Sequence, residues 1–224
     1  MASDLYAITP IYETHIASGP GHPSVVCVRQ RRLVLFQNEA IGCISSSHDN
    51  GRHKQKDTAQ IRKPGCHCQE YTSKNKYNTE ICILVDMSIE SGKNRLFLYN
   101  LKNDSITDAG LVTHGRCNED WLKGRRYGNE VGCGCTSLGK YKVGAAYQGK
   151  FGLAYKLHGQ DTTNSNAFKR FVVLHSHECV PAAEVDPYPI CQSDGCPTVS
   201  PSFLKKMAAT IDGSSRPILL WIFE

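Results

Sequence analysis

Two short segments in the last third of the chain hold the residue types from which a cysteine nucleophile can be built. His175-Ser176-His177 ends an apolar run, and Ser193-Asp194-Gly195-Cys196 follows after a gap of fifteen residues. A thiol attacks a carbonyl only as the thiolate, so it needs a neighbouring base, and a histidine can serve. Gly195 lets the backbone approach closely, and the amides of Gly195 and Cys196 can donate to the oxyanion formed in the attack. The pattern therefore predicts acyl transfer by Cys196.

The same residue types also occur in purely structural roles. A Gly-Cys pair in a loop is most often a structural thiol or half of a disulfide, and a histidine at a strand end is most often a surface or packing residue. On these residues alone, a non-catalytic module that binds a metal or a polymer remains an alternative.

The spacing resembles that of the L,D-transpeptidases of the YkuD type. In that family a His, two variable residues and a gap of similar length precede Ser or Thr, His, Gly and Cys. His175 fits this frame with its fifteen-residue gap, whereas a start at His177 leaves only thirteen. The resemblance is closer to the murein L,D-transpeptidase catalytic-domain-like branch, whose Cys is followed by Pro and an apolar segment, as in Cys196-Pro197-Thr198-Val199.

Further phrases of the chain agree with the family in the same linear order. They are ILVD at 83–86, KNRLF at 93–97, VTHGR at 112–116, SLG at 137–139 and LHG at 157–159. Three positions depart from the family pattern: Ser176 stands where Gly is usual, Asp194 where His is usual, and Thr198 where many relatives have Asn or Arg. The resemblance covers residues 79–224 and implies a catalytic domain there. The weak hydrophobic pattern before it predicts a poorly organised N-terminal extension over residues 1–78.

The resemblance implies a specific reaction on peptidoglycan stem peptides. Cys196 attacks the carbonyl of the third stem residue, releases the terminal D-alanine and forms a thioester, which an amine of a second stem resolves into a 3–3 cross-link. His175 takes the thiol proton, the amides at Gly195 and Cys196 hold the oxyanion, and Ser176 or its carbonyl orients the imidazole. The residues expected to bind or orient the substrate are Ser176, Ser193, His158 and His177.

Alternatives to this function remain open. Water as the acceptor would make the protein an L,D-carboxypeptidase or another cysteine peptidase, and a non-catalytic metal- or peptidoglycan-binding module is a third possibility. The implied substrate lies in the cell envelope or periplasm, although residues 1–19 lack the basic start and apolar stretch of a secretory signal. No cofactor is implied, and the oligomeric state is left open.

Eleven cysteines are an odd number, so at least one thiol stays free or pairs outside the chain. In an oxidising envelope, a disulfide between Cys179 and Cys191 would shorten the loop between base and nucleophile. The competing arrangement is a zinc site, but its irregular spacing favours disulfides or free thiols, and we predict no metal. Its ligands would be Cys133, Cys135, His177 and Cys179. A second cysteine pair, Cys66 and Cys68, offers only two thiols, too few to close a tetrahedral zinc site.

The elements that position these residues are mostly strands. Short apolar runs broken by Gly, Asn and Asp predict a mostly-β domain, and the resemblance makes it an L,D-transpeptidase-like β-sandwich with one helix packed on it. The predicted strands cover residues 81–89, 95–101, 111–114, 141–147, 153–157, 171–175 and 217–223. The helix begins after Ser200, has Pro201 at its first position and ends at Gly213. The run at 217–223 predicts a central strand buried on both faces.

Charge and hydropathy exclude two classes of protein. Lys and Arg number 26 against 21 Asp and Glu, and the net charge of +5 is spread thinly, with no polybasic arm for nucleic acid. The longest apolar run, residues 217–223, is far shorter than the roughly 20 residues that span a bilayer. We therefore predict no nucleic-acid partner and no membrane span.

Overall fold

The structure is a computed structural model that describes the backbone of residues 54–224 and the side chains of residues 64–224. Cys27, Cys43 and most of the predicted extension lie outside the described residues. The elements are, in chain order, α1 (Lys54–Lys74), β1 (Ile81–Asp86), β2 (Leu96–Asn100), β3 (Ser105–Gly110), β4 (Gly139–Gly149), β5 (Gly152–Gly159), a 3₁₀ turn (Thr162–Asn164), β6 (Val173–Ser176), β7 (Thr198–Val199), α2 (Pro201–Asp212) and β8 (Leu219–Phe223). Neither helix in this part of the chain has the length and apolar character needed to cross a bilayer.

The strands of the described residues form one hydrogen-bonded sheet in the order β3-β2-β1-β8-β4-β5-β6-β7. The C-terminal strand β8 lies near its middle, parallel to β1 and antiparallel to β4. The prediction of a central strand at 217–223 is confirmed. Because such a strand is covered on both faces, its sequence is continuously apolar rather than alternating.

The two faces of the sheet carry separate hydrophobic clusters, as the alternation of side chains along a strand requires. On one face, Ile83 and Leu220 pack with Phe203, Leu204 and Met207 of α2. The other face holds the second cluster, in which α1 and the segment after it pack on the sheet through Cys68, Tyr71, Tyr77, Cys82, Leu84 and Leu219. The mostly-β fold with a helix packed on it is confirmed.

The helix α1 lies in the segment for which the sequence predicted little regular structure, and that prediction is wrong for residues 54–74. Pro64 and Gly65 in its middle are poor helix formers, so the sequence did not predict this helix. Gly65 faces the ring of Tyr99, where an added Cβ would lie 2.6 Å from Cε1. Packing on the sheet therefore overrides the weak helix propensity. The proposed boundary at 78/79 stays a prediction, although α1 packs on the domain that follows it.

The third strand was predicted in the wrong place. Residues 105–110 form β3, whereas residues 111–114 form no regular strand and cross toward the carboxyl-terminal loops. The edge strand β3 is polar and partly exposed, so it lacks the apolar run by which strands are recognised. The other predicted strands are confirmed with shifted ends, and the hairpins β1–β2 and β4–β5 are antiparallel as expected.

The start of α2 agrees with the sequence and can be tested. Ser200 accepts a hydrogen bond from the Phe203 amide at 3.3 Å, and Pro201 occupies the first turn. We expect Ser200→Ala to lower the free energy of unfolding by about 1 kcal/mol because that amide loses its partner. Ser200→Gly is the control, and it should cost only a few tenths of a kcal/mol. Denaturant unfolding measures both, and an alanine variant as stable as the parent protein would contradict the cap.

Candidate active site

Cys196 lies in the loop that leads into β7 and is a free, half-buried thiol. The Val173 amide donates to its Sγ at 3.5 Å, and Sγ lies 3.8 Å from the Phe171 carbonyl oxygen, to which the thiol can donate. Phe171 has a φ of 57°, a conformation that non-glycine residues adopt rarely. The thiol is therefore held at the start of β6.

The surroundings of Cys196 keep its thiol protonated. Burial raises its pKa above the ordinary value, while the Val173 amide and the positive charge of Arg170 lower it, and the balance is a raised pKa. A thiol in this state is a poor nucleophile at neutral pH. Attack on a carbonyl therefore needs a base that removes the proton.

His175, on β6, is 7% exposed, and its ring nitrogens have defined partners. Nδ1 lies 3.1 Å from the Ser176 carbonyl oxygen, and Nε2 lies 3.1 Å from Thr198 Oγ1. Because a carbonyl can only accept, Nδ1 carries the proton and Nε2 keeps its lone pair. Burial lowers the pKa of His175, so the imidazole is neutral near pH 7 and able to accept a proton.

The thiol of Cys196 and the imidazole of His175 share no hydrogen bond. Thr198 links the two residues, because its hydroxyl lies 3.1 Å from His175 Nε2 and 3.3 Å from the backbone carbonyl oxygen of Cys196. The parallel pairing of β6 with β7 sets His175 directly beside Thr198. The residue that departs from the family pattern at this position therefore contacts the predicted base.

The turn before Cys196 requires glycine. Gly195 has a φ of 104°, and an added Cβ would lie 2.5 Å from the Cys135 carbonyl oxygen. Its amide donates to Ser193 Oγ at 3.2 Å, and that hydroxyl in turn donates to the Cys196 carbonyl oxygen at 2.7 Å. The Gly195 amide is thus engaged within the loop, while the Cys196 amide makes no hydrogen bond to any described residue.

Arg170 is a site residue that the sequence reasoning missed. Its guanidinium donates to the carbonyl oxygens of Gly128 (3.0 Å) and Cys135 and to Ser137 Oγ. Its charge lowers the pKa of Cys196. Its only signal in the sequence is faint, a Lys-Arg pair shortly before the strand that carries His175.

The other two histidines predicted for the site, His177 and His158, each contact a phenylalanine ring. Phe151 stacks on the ring of His175 with centroids 5.1 Å apart, and the ring of His177 meets its edge at 5.3 Å. His177 is turned toward its own loop, where its Nδ1 accepts from the Cys179 amide at 3.1 Å. His158 stacks on Phe168 at 5.0 Å and contacts neither His175 nor Cys196.

The disulfide between Cys179 and Cys191 is present, as predicted, and bridges the loop between base and nucleophile. A second disulfide joins Cys117 to Cys135, next to the turn at Gly195. The alternative zinc set is wrong, because Cys135 and Cys179 are both held in disulfides. Within the described residues no cluster of three or more potential metal ligands is found, around Cys68 or elsewhere.

Residues 52–221 match the L,D-transpeptidase catalytic domain family. The chain belongs to that family. The match confirms the predicted resemblance and begins before residue 79, so that the whole of α1 lies within it. A comparison with curated proteins finds no match to the chain.

Two solved structures are similar to the chain at low identity. The carbamoyl enzyme of Ldtfm with avibactam shares 15% identity, with a TM-score of 0.37, over 65% of this chain and 49% of that one. The helical cell shape determining protein Pgp2 from Campylobacter jejuni, as a K307A mutant, shares 13% identity, with a TM-score of 0.41, over 79% and 57%. The chain therefore spans about half the length of these proteins.

The raised pKa of Cys196 gives a prediction for the isolated protein. We expect its alkylation by iodoacetamide to rise with pH through a midpoint above that of an ordinary thiol, because burial disfavours the thiolate. Arg170→Gln should move the midpoint further up by removing a positive charge, and Arg170→Lys should move it less. Peptide mass spectrometry of the alkylated Cys196 measures this. A midpoint below that of an ordinary thiol would contradict the assignment.

Proposed function

We propose that the protein is an L,D-transpeptidase that joins peptidoglycan stem peptides by 3–3 cross-links through a thioester on Cys196. The observation that carries the proposal is the free Cys196 thiol after the Gly195 turn, which accepts from the amide of Val173, two residues before the neutral His175 on the same strand, in a chain of this family. The disulfides are consistent with a protein that works in an oxidising compartment such as the cell envelope.

The first half of the reaction forms the thioester. Sγ of Cys196 attacks the carbonyl carbon of the third residue of a donor stem, and His175 Nε2 takes the thiol proton. The Cys196 amide donates to the oxyanion, whereas the Gly195 amide, predicted to join it, keeps the loop closed through Ser193. The bond to the terminal D-alanine then breaks, and the leaving amine receives the proton from His175.

The second half transfers the acyl group. The amine of an acceptor stem attacks the thioester, gives a proton to His175 and expels the Cys196 thiolate, which is then reprotonated. The carbonyl of Ser176 holds Nδ1–H throughout and so keeps the lone pair on Nε2.

Thr198 controls access to that lone pair. Its hydroxyl has two acceptors in reach, His175 Nε2 and the Cys196 carbonyl oxygen. Rotation of the hydroxyl toward the carbonyl frees Nε2 to accept the thiol proton. In the resting protein the bond to Thr198 keeps the base occupied, which agrees with a thiol that stays protonated.

The nucleophile and base are tested with a carbapenem, a reagent that acylates such a cysteine. We expect one stable adduct by intact mass, absent in Cys196→Ala and slowed by about 100-fold or more in His175→Ala, because the base is lost. His177→Ala is the matched control and should be acylated nearly as fast as the parent protein, since its ring faces its own loop. Loss of acylation in His177→Ala with retention in His175→Ala would assign the base to His177.

The acceptor is tested with tetrapeptide-stem muropeptides. The proposal predicts a cross-linked dimer and released D-alanine when donor and acceptor stems are both present, because the acceptor amine resolves the thioester. Liquid chromatography with mass spectrometry separates the products. Trimmed monomer as the sole product would show water as the acceptor and make the protein an L,D-carboxypeptidase. No product and no adduct, together with bound zinc, would favour a non-catalytic module.

A further inference from the structure

One fully buried arginine has no part in the reaction described above. Arg95, on the strand boundary before β2, is 0% exposed. Its Nε and Nη2 donate to the Val112 carbonyl oxygen at 2.9 and 2.8 Å, and Nη1 donates to the Ile89 carbonyl oxygen at 3.2 Å. Burial lowers its pKa to about 10, so the side chain stays charged at neutral pH. Burying a charge costs free energy unless the charge is hydrogen-bonded. The groups bonded to Arg95 therefore indicate which part of the structure it stabilises.

Nη2 of Arg95 also reaches a histidine. Nη2 lies 3.0 Å from Nδ1 of His114, a ring that is 7% exposed. Because a guanidinium can only donate, Nδ1 of His114 is an acceptor and the ring is neutral. Burial and the charge of Arg95 lower the pKa of His114 to about 4, which agrees with this assignment. Arg95 therefore hydrogen-bonds two groups of one segment, the Val112 carbonyl and the His114 ring.

That segment supports the loop that carries the nucleophile. We call residues 112–116 the support segment and residues 193–198 the nucleophile loop. The His114 carbonyl oxygen accepts from the Ser193 amide at 2.9 Å, and the Arg116 amide donates to the Ser193 carbonyl oxygen at 2.8 Å. These bonds fix the loop on the amino-terminal side of Cys196.

The other side of Cys196 is fixed by Thr113. Its amide donates to the Thr198 carbonyl oxygen at 3.0 Å, and its hydroxyl donates to the Cys196 carbonyl oxygen at 3.2 Å. The same hydroxyl accepts from the Thr198 amide at 3.2 Å. The support segment thus holds both flanks of Cys196, although residues 112–114 belong to no regular strand that would fix their course.

We propose that Arg95 is a positioning residue for Cys196: its guanidinium fixes the course of the support segment, which in turn fixes the nucleophile loop and the Cys196 amide. This inference rests on the proposed function. A planar guanidinium is suited to the task because its fork of donors can bond a carbonyl and a ring nitrogen at fixed angles, whereas a lysine ammonium offers a compact charge on a flexible stem. A shift of about 1 Å at the nucleophile can cost about 100-fold in rate, so a remote support matters to catalysis.

Two variants remove different contacts that support Cys196. Arg95→Lys keeps the positive charge and removes the fork. Thr113→Val keeps the shape of the side chain and removes the hydroxyl bonded to Cys196 and Thr198, which provides a test even if the arginine variant does not fold. Thr107→Val is the matched control, since its hydroxyl also donates to a carbonyl, that of Leu98 at 3.1 Å, on the edge strand β3 at the far end of the sheet.

Each folded variant is compared in two reactions of the same thiol. Acylation by a carbapenem needs the oxyanion donor as well as the thiolate, whereas alkylation by iodoacetamide needs the thiolate alone. We expect Arg95→Lys and Thr113→Val to slow acylation by about tenfold or more and to change alkylation by less than about twofold. Thr107→Val should change neither. Equal acylation in all four proteins, or a parallel fall of both reactions in proportion to the folded fraction, would overturn the inference.

Hydrogen exchange keeps this test separate from the test of function. We expect faster amide exchange in residues 193–198 of Arg95→Lys and Thr113→Val, with little change in β1 and β8. If the parent protein is not acylated, the proposed function fails, and the exchange of the nucleophile loop still decides the positioning role. Unchanged exchange in that loop in both variants would contradict it.

Discussion

The arrangement of the site depends on a short parallel pairing at one edge of the sheet. Strands β6 and β7 are only four and two residues long, yet their register sets His175 beside Thr198. Because only Pro197 separates Cys196 from β7, the same pairing brings the proposed nucleophile to β6, the strand that carries the proposed base. A pair this short is weak by itself. The Cys179–Cys191 disulfide and the bonds to residues 112–116 hold the connection around it.

Burial acts on the two reacting groups in opposite directions and so keeps both neutral. It raises the pKa of the Cys196 thiol and lowers that of the His175 imidazole, because each charged form is poorly solvated. The resting pair is therefore a thiol and a neutral imidazole, and in the proposed reaction the proton moves when a substrate carbonyl is in place. The Thr198 hydroxyl bonded to Nε2 fits this resting state.

The sequence was informative where a local pattern alone decides structure. The turn at Gly195, the cap at Ser200 and the apolar run that forms β8 each have a local physical cause, and the structure agrees with all three. The frame of His175 and Cys196 was found through family spacing, since the pairing of β6 with β7 joins segments that are distant along the chain.

The features that the sequence did not reveal depend on contacts between distant residues. The helix α1 contains Pro64 and Gly65, and only its packing against the sheet makes it helical. Arg170 bonds Gly128, Cys135 and Ser137, all more than thirty residues away, so its role has no local signature. In the sequence, Arg95 has the pattern of an ordinary basic residue beside a hairpin loop, and only the structure shows that it is buried.

The central claim is that Cys196 carries the acyl group of a stem peptide, and trapping that intermediate tests it most directly. The parent protein is mixed with a tetrapeptide-stem muropeptide in the absence of an acceptor, quenched in acid within its turnover time and analysed by intact and peptide mass spectrometry. The account predicts a mass increase equal to the muropeptide less D-alanine, located on Cys196 and removed by hydroxylamine. An acyl group on Cys133 or on a serine, or release of D-alanine without any acyl-enzyme, would contradict it.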